Sequence, residues 1–190
     1  PANFAPTFVW IVWWIGMGIV VALAGNLWAL INPWTILFEW AEILYPMLRP
    51  GRRLSLARQY PQNWGIWPAL LLFLCFTWIQ DAFVQSPLPN RIAVMTLTYT
   101  VIILGGMAIF GKHQWLRHGE AFSVVFSLLA KFAPTEVRVQ DDGLCSTCGA
   151  RCLSSKGGCV NCYECFSRAE TKELNIRPFA MGLTENEGKT

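Results

Sequence analysis

A chain of 190 residues that is 54% hydrophobic and 14% charged, with its apolar residues in long unbroken blocks, is solvated by a bilayer rather than folded as an ordinary soluble domain. The net charge of +3 is small and no basic stripe interleaves with aromatic residues, so a nucleic-acid partner is not expected. No histidine lies within the apolar blocks, and no serine elbow, phosphate loop or HExxH motif is present, which argues against bis-histidine haem and the commonest hydrolase machineries.

In chain order, the first apolar block runs from Phe8 to Ile31 without a charge, and its ~24 residues reach ~36 Å as a helix, more than a hydrocarbon core requires. It has no basic leader, is too long for a signal-peptide core and shows no clear cleavage site, so it is read as a retained span. Asn32-Pro33-Trp34 then sets a cap and a new helical start. From Thr35 to Leu48, Ile36, Leu37, Trp40, Ile43, Leu44 and Met47 recur at helical spacing around Glu39 and Glu42, predicting an interfacial amphipathic helix that Pro46 and Pro50-Gly51 end. Trp64, Trp67 and Pro68 introduce a second span, Ile66 to Gln80, fading through Asp81 to Val84. Ile92 to Gly111 is the third, with Trp115 at its headgroup end. Gly18 with Ala22, and Gly105-Gly106, are small-residue pairs at which another helix could approach. A second amphipathic helix is expected from Gly119 to Phe132, with Phe122, Val125, Phe126 and Leu129 on one face, ending at Pro134.

Composition changes there, which divides the chain into a transmembrane helical domain, 1–134, and a cysteine-rich segment with its tail, 135–190. Arg49, Arg52, Arg53 and Arg58 crowd the first connection and Lys112, Arg117, Lys131 and Arg138 follow the third span, whereas Gln85 to Arg91 carries almost no charge. With three spans both basic regions fall on one side, cytoplasmic by the positive-inside rule, and the cysteine-rich segment goes with them.

Six of the seven cysteines, Cys145, Cys148, Cys152, Cys159, Cys162 and Cys165, lie within 21 residues. Ten residues separate Cys145-x2-Cys148 from Cys159-x2-Cys162, close to the spacing of two thiolate knuckles that close one tetrahedral zinc site. Gly149, Gly157 and Gly158 supply a pliant hairpin between them. Zinc is the first expectation, and Cys152 and Cys165 then stand outside the four-ligand site unless they complete a binuclear one. The alternative is an iron–sulfur cluster, because Cys159-x2-Cys162-x2-Cys165 repeats the three-ligand run of bacterial ferredoxins, without the Cys-Pro that usually follows. Disulfides would be favoured only if this segment faced an oxidising compartment. Cys75, inside the second span, is read as a packing residue. His113, His118 and Glu120 are read as interfacial hydrogen-bonding groups, and Glu39, Glu42, Asp81 and Tyr99 as polar groups at the span boundaries.

Several stretches carry a resemblance: the Asn32-Pro33-Trp34 turn, the Trp67-Pro68 start of the second span, and Gly111-x3-Trp115-x3-Gly119-Glu120-x-Phe122. Over about Ala5 to Arg138 the chain resembles the fenitrothion-hydrolase-like family of bacterial multi-pass membrane proteins. The resemblance implies a bacterial inner-membrane protein, a longer parent of which this is an internal portion or truncated relative, and a link to organophosphate hydrolysis that brings no assigned catalytic residues. The fold expected is an all-α integral membrane protein with about three transmembrane helices, two interfacial amphipathic helices and a small C-terminal cysteine-rich metal knuckle. Three functions follow. One is an accessory or scaffold subunit, in contact with lipid and other membrane subunits, with a structural zinc. The second is a membrane hydrolase, which needs Glu39, Glu42, His113 and Glu120 to converge. The third is an iron–sulfur electron-transfer subunit. Whether the chain is an enzyme is left open by the sequence.

Overall fold

The computed structural model describes residues 4–51, 54–82, 88–148 and 157–184. Three helices are long and apolar enough to cross a membrane: Ala5–Ala24, Gln62–Ala82 and Pro89–Phe110. A helix satisfies every backbone N–H and C=O within the segment, the condition a bilayer span must meet. Two compact units are present, one made of Pro1–Gly18 with Ile31–Val125, the other of Ile19–Leu30 with Phe126–Thr190.

The first unit holds most of the spans. Helix α1, Ala5–Ala24, is wound in the wider π form over Phe8–Gly16. There Trp10 and Trp14 pack on Phe73 and Phe76, and Trp13 on Phe122, with ring centroids 4.7–5.6 Å apart. Helix α2, Trp28–Ile31, is a single turn, and α3, Pro33–Leu48, starts where predicted because Asn32 Oδ1 accepts the Trp34 and Thr35 N–H groups. Pro46 does not end α3: it removes one i→i−4 bond but stands within a turn of Leu48, where the loss is small. Helix α4, Trp67–Ala82, follows a 3-10 turn at Gln62–Trp64, and α5 is Pro89–Phe110. After α3 the chain donates Leu56 and Arg58 N–H to the Ala108 and Ile109 carbonyls, which the end of α5 leaves without helical partners.

The amphipathic helix expected over Gly119–Phe132 is α7, Ala121–Leu129, and a separate short helix, α6, Lys112–His118, precedes it. Gly111, at φ +89°, turns the chain sharply after α5, and the Trp115 indole folds back onto Gly106 and Gly119, where any β-carbon would collide with the ring. Trp115 therefore lies buried, stacked on Phe110, and not in a headgroup belt; the close approach at Gly106 is by this indole. His118 stacks on Tyr60 at 5.0 Å and donates Nδ1–H to the Gln114 carbonyl. Burial pulls the His118 pKa below its ordinary value, with the Arg117 charge adding to the fall and the Gln114 bond opposing it. A base whose folded pKa is depressed stabilises the fold fully above its unfolded pKa, about 6.5, and less as pH falls through it. Thermal unfolding in detergent should therefore occur at a lower temperature at pH 5 than at pH 7.5, and His118→Gln should reduce that difference; an undiminished difference would assign it to other groups.

The second unit corrects two expectations. The first apolar block breaks at Ala24, because Gly25 takes φ +102° and its missing β-carbon leaves room for Thr135 Oγ1, which bonds the Ala24 carbonyl at 2.8 Å. The 20-residue span that remains is ~30 Å long, the thickness of a hydrocarbon core. The fold is also not purely helical. Strands β1, Thr135–Val139, β2, Cys159–Val160, and β3, Glu173–Ile176, form an antiparallel sheet in the order β2-β1-β3. Short helices α8, Asp142–Thr147, and α9, Tyr163–Arg168, lie between the strands in sequence.

One buried ion pair ties β1 to the chain after β3. Arg177 Nη1 lies 3.3 Å from Glu136 Oε2, both nearly buried, and Nε donates to the Ala133 carbonyl at 3.2 Å. Glu136 Oε1 also pairs with the half-exposed Arg138 at 2.7 Å, so removing Arg177 leaves the buried carboxylate one cation instead of two. Arg177→Met should lower stability by roughly 2 kcal/mol, with Glu136→Leu added on top restoring part of it. Denaturant midpoints of the two variants check this, and additive losses would show that the pair is not coupled.

Candidate metal centre

Backbone turns place the thiols. Asp141 caps α8 through Leu144 N–H at 2.8 Å, which sets Cys145 in the helix and leaves Cys148 just past its end. Asp142 accepts the Gly158 N–H, and Gly158, at φ +63°, passes so close to Val139 that a β-carbon would lie 2.5 Å from its carbonyl oxygen. That approach seats Cys159 opposite Val139 in the sheet. Asn161, also at positive φ, exchanges two bonds with Val137: its N–H donates to the carbonyl and its Oδ1 accepts the N–H. The chain then turns so that Cys162 caps α9, and Cys165, three residues on, shares its face.

Five sulfurs result, and they could hold a metal ion. Cys145, Cys159 and Cys165 lie with their sulfurs within 4.8 Å of one another, and so do Cys148, Cys162 and Cys165. Cys148 and Cys162 Sγ are 3.7 Å apart, close to the ~3.8 Å edge of a tetrahedron built on a Zn–S bond of about 2.3 Å. Cys148 Sγ is also 3.4 Å from Glu164 Oε2, whose other oxygen pairs with Arg168. None of these cysteines is in a disulfide. Cys145, Cys148, Cys159 and Cys165 are buried, and with Val139 and Ala169 they make up the buried cluster of this region, against which Leu144, Cys162 and Phe166 pack.

Each C-x2-C pair gives one sulfur to each set, and Cys165, which spacing leaves outside the four-ligand site, belongs to both sets. Cys152, Gly149, Arg52 and Arg53 lie outside the described residues. Cys75 is on the exposed side of α4, not packed inside it. Tyr163 sits beside this region with its hydroxyl buried against the Asn26 backbone, and burial pushes its pKa up to about 12.

The acids and histidines fall elsewhere. Glu39 is exposed and pairs with Lys112 at 2.9 Å. Glu120, expected at the interface, is fully buried: it accepts the Tyr99 hydroxyl and the Phe122 and Ser123 N–H groups, so both oxygens are occupied in starting α7. Beside it Trp34 Nε1 donates to Thr100 Oγ1 at 3.0 Å, and Asn32 Nδ2 to Ser123 Oγ at 3.3 Å. Among the described residues, the only groups of three or more histidine, cysteine or acidic ligand atoms within 4.8 Å of one another are the two cysteine sets, so Glu39, Glu42, His113 and Glu120 form no such cluster. The buried polar lattice around Glu120 is not readable from periodicity, although a lone acid after Gly-x3-Trp-x3-Gly is the available signal. No family model, curated protein or solved structure matches this chain.

Proposed function

We propose that the chain is a membrane-embedded accessory or scaffold subunit whose C-terminal unit is stapled by a structural, thiolate-bound zinc on the cytoplasmic face of a bacterial inner membrane. The convergence of five thiols carries this reading. In a region whose buried cluster is mainly sulfur, the thiols do the work that Leu and Phe do in a larger core, and a metal supplies the missing folding energy. Zinc suits a set of soft thiolates at tetrahedral spacing and brings no redox chemistry. Basic residues on the first connection and after the third span support the cytoplasmic side. Exposed apolar side chains along the spans, among them Ile11, Ile15, Leu71, Trp78, Leu97 and Val101, are suited to lipid and to partner helices.

The test is elemental analysis with a visible spectrum on protein purified in detergent without chelator. Zinc with no visible band is expected. Iron with acid-labile sulfide and a visible band would replace this reading by electron transfer, and a metal-free protein would remove the metal centre altogether.

A further inference from the structure

We infer that the C-terminal thiols hold two thiophilic d10 ions, zinc or its congeners, with Cys165 as the ligand common to both. This rests on the metal-centre reading above and goes beyond it in number and connectivity. A single tetrahedral ion takes four ligands from one shell. The five sulfurs are not arranged as one shell: those within 4.8 Å of one another fall into Cys145, Cys159, Cys165 and Cys148, Cys162, Cys165.

The division has a backbone cause. Cys145 lies within α8 and Cys148 just past its end, while Cys159 lies in β2 and Cys162 at the cap of α9, so members of each C-x2-C pair leave the chain in different local conformations. Cys165, on α9, is the residue from which both sets are reached. A thiolate sulfur has lone pairs enough to bridge two cations.

Charge favours two ions as well. Four thiolates around one dication leave a net charge of about −2 in a largely buried region, whereas five around two dications leave about −1. The set containing Cys148 has a further hard donor at hand in Glu164, 12% exposed, whose Oε2 adjoins Cys148 Sγ. Metal loading releases the protons of whichever thiols are neutral beforehand.

The experiment uses the full chain in detergent, stripped and reloaded with cadmium-113, freed of excess ion, and examined by elemental analysis and cadmium NMR. Two cadmium per chain and two resonances at sulfur-rich shifts are expected. Cys159→Ser should shift chiefly one resonance, Cys148→Ser chiefly the other, and Cys165→Ser both. One cadmium per chain with one resonance overturns the two-ion arrangement and leaves the metal centre standing; no bound cadmium overturns both. Two resonances of which Cys165→Ser moves only one overturn the bridge. Should Cys165→Ser not fold, splitting of each wild-type resonance by cadmium–cadmium coupling reports the bridge, and its absence contradicts it.

Discussion

Glu120→Ala should destabilise the first compact unit by about 3 kcal/mol or more. The carboxylate is fully buried and accepts three donors: the Tyr99 hydroxyl and the Phe122 and Ser123 N–H groups. Truncation leaves all three in a place water does not reach, at about 1–3 kcal/mol for each donor left unsatisfied, and also removes the cap of α7. Glu120→Gln keeps one acceptor but turns an amide N–H₂ toward groups that donate, so its loss should be intermediate. Tyr99→Phe, which removes one donor and leaves the carboxylate its two backbone bonds, should cost least, near 1 kcal/mol. Thermal unfolding in detergent, followed by tryptophan fluorescence, should rank the variants in that order. At roughly 2–4 °C per kcal/mol for a chain of this size, the alanine variant should melt roughly 6–12 °C below the parent. A melting temperature unchanged in Glu120→Ala would mean that the carboxylate does not organise this region.

The second large effect is expected on metal removal. The buried cluster of the C-terminal region consists of Val139, Cys145, Cys148, Cys159, Cys165 and Ala169, too little hydrocarbon to hold three short strands and two six-residue helices. Structural zinc contributes ~10–16 kcal/mol in finger peptides, and losing even a fifth of that collapses amide protection by at least about 30-fold. A strong chelator should therefore raise hydrogen exchange in β1, β2, β3 and α9 while α4 and α5 keep their protection, and added zinc should restore it. Exchange that ignores the chelator would show that the thiols pack as simple hydrophobes.

Different parts of this outcome were legible in the sequence to different degrees, for physical reasons. The three helices long and apolar enough to cross a membrane show plainly because length and apolarity are read directly off the chain. Asn32 as the cap of α3 is equally local, a side chain reaching two residues along its own chain. What escapes is non-local. The break at Gly25 depends on Thr135, more than a hundred residues away, and Thr135–Val139 reads as a polar linker until Glu173–Ile176 pairs with it. Glu120 looks interfacial by its position after a span, and only the fold-back of Trp115 onto Gly106 and Gly119 encloses that turn. Cysteine spacing shows that the thiols meet but not how: C-x2-C suggests one knuckle per pair, and it takes a strand under Cys159 and a helix cap at Cys162 to send the two sulfurs into separate sets.

The most direct measurement of the central claim is X-ray absorption at the edge of whichever metal the gently purified protein carries. A zinc edge with a sulfur-dominated first shell near 2.3 Å is the expected result. An iron edge with an iron–iron shell, or zinc surrounded mainly by nitrogen and oxygen, would contradict a structural thiolate centre built from these cysteines.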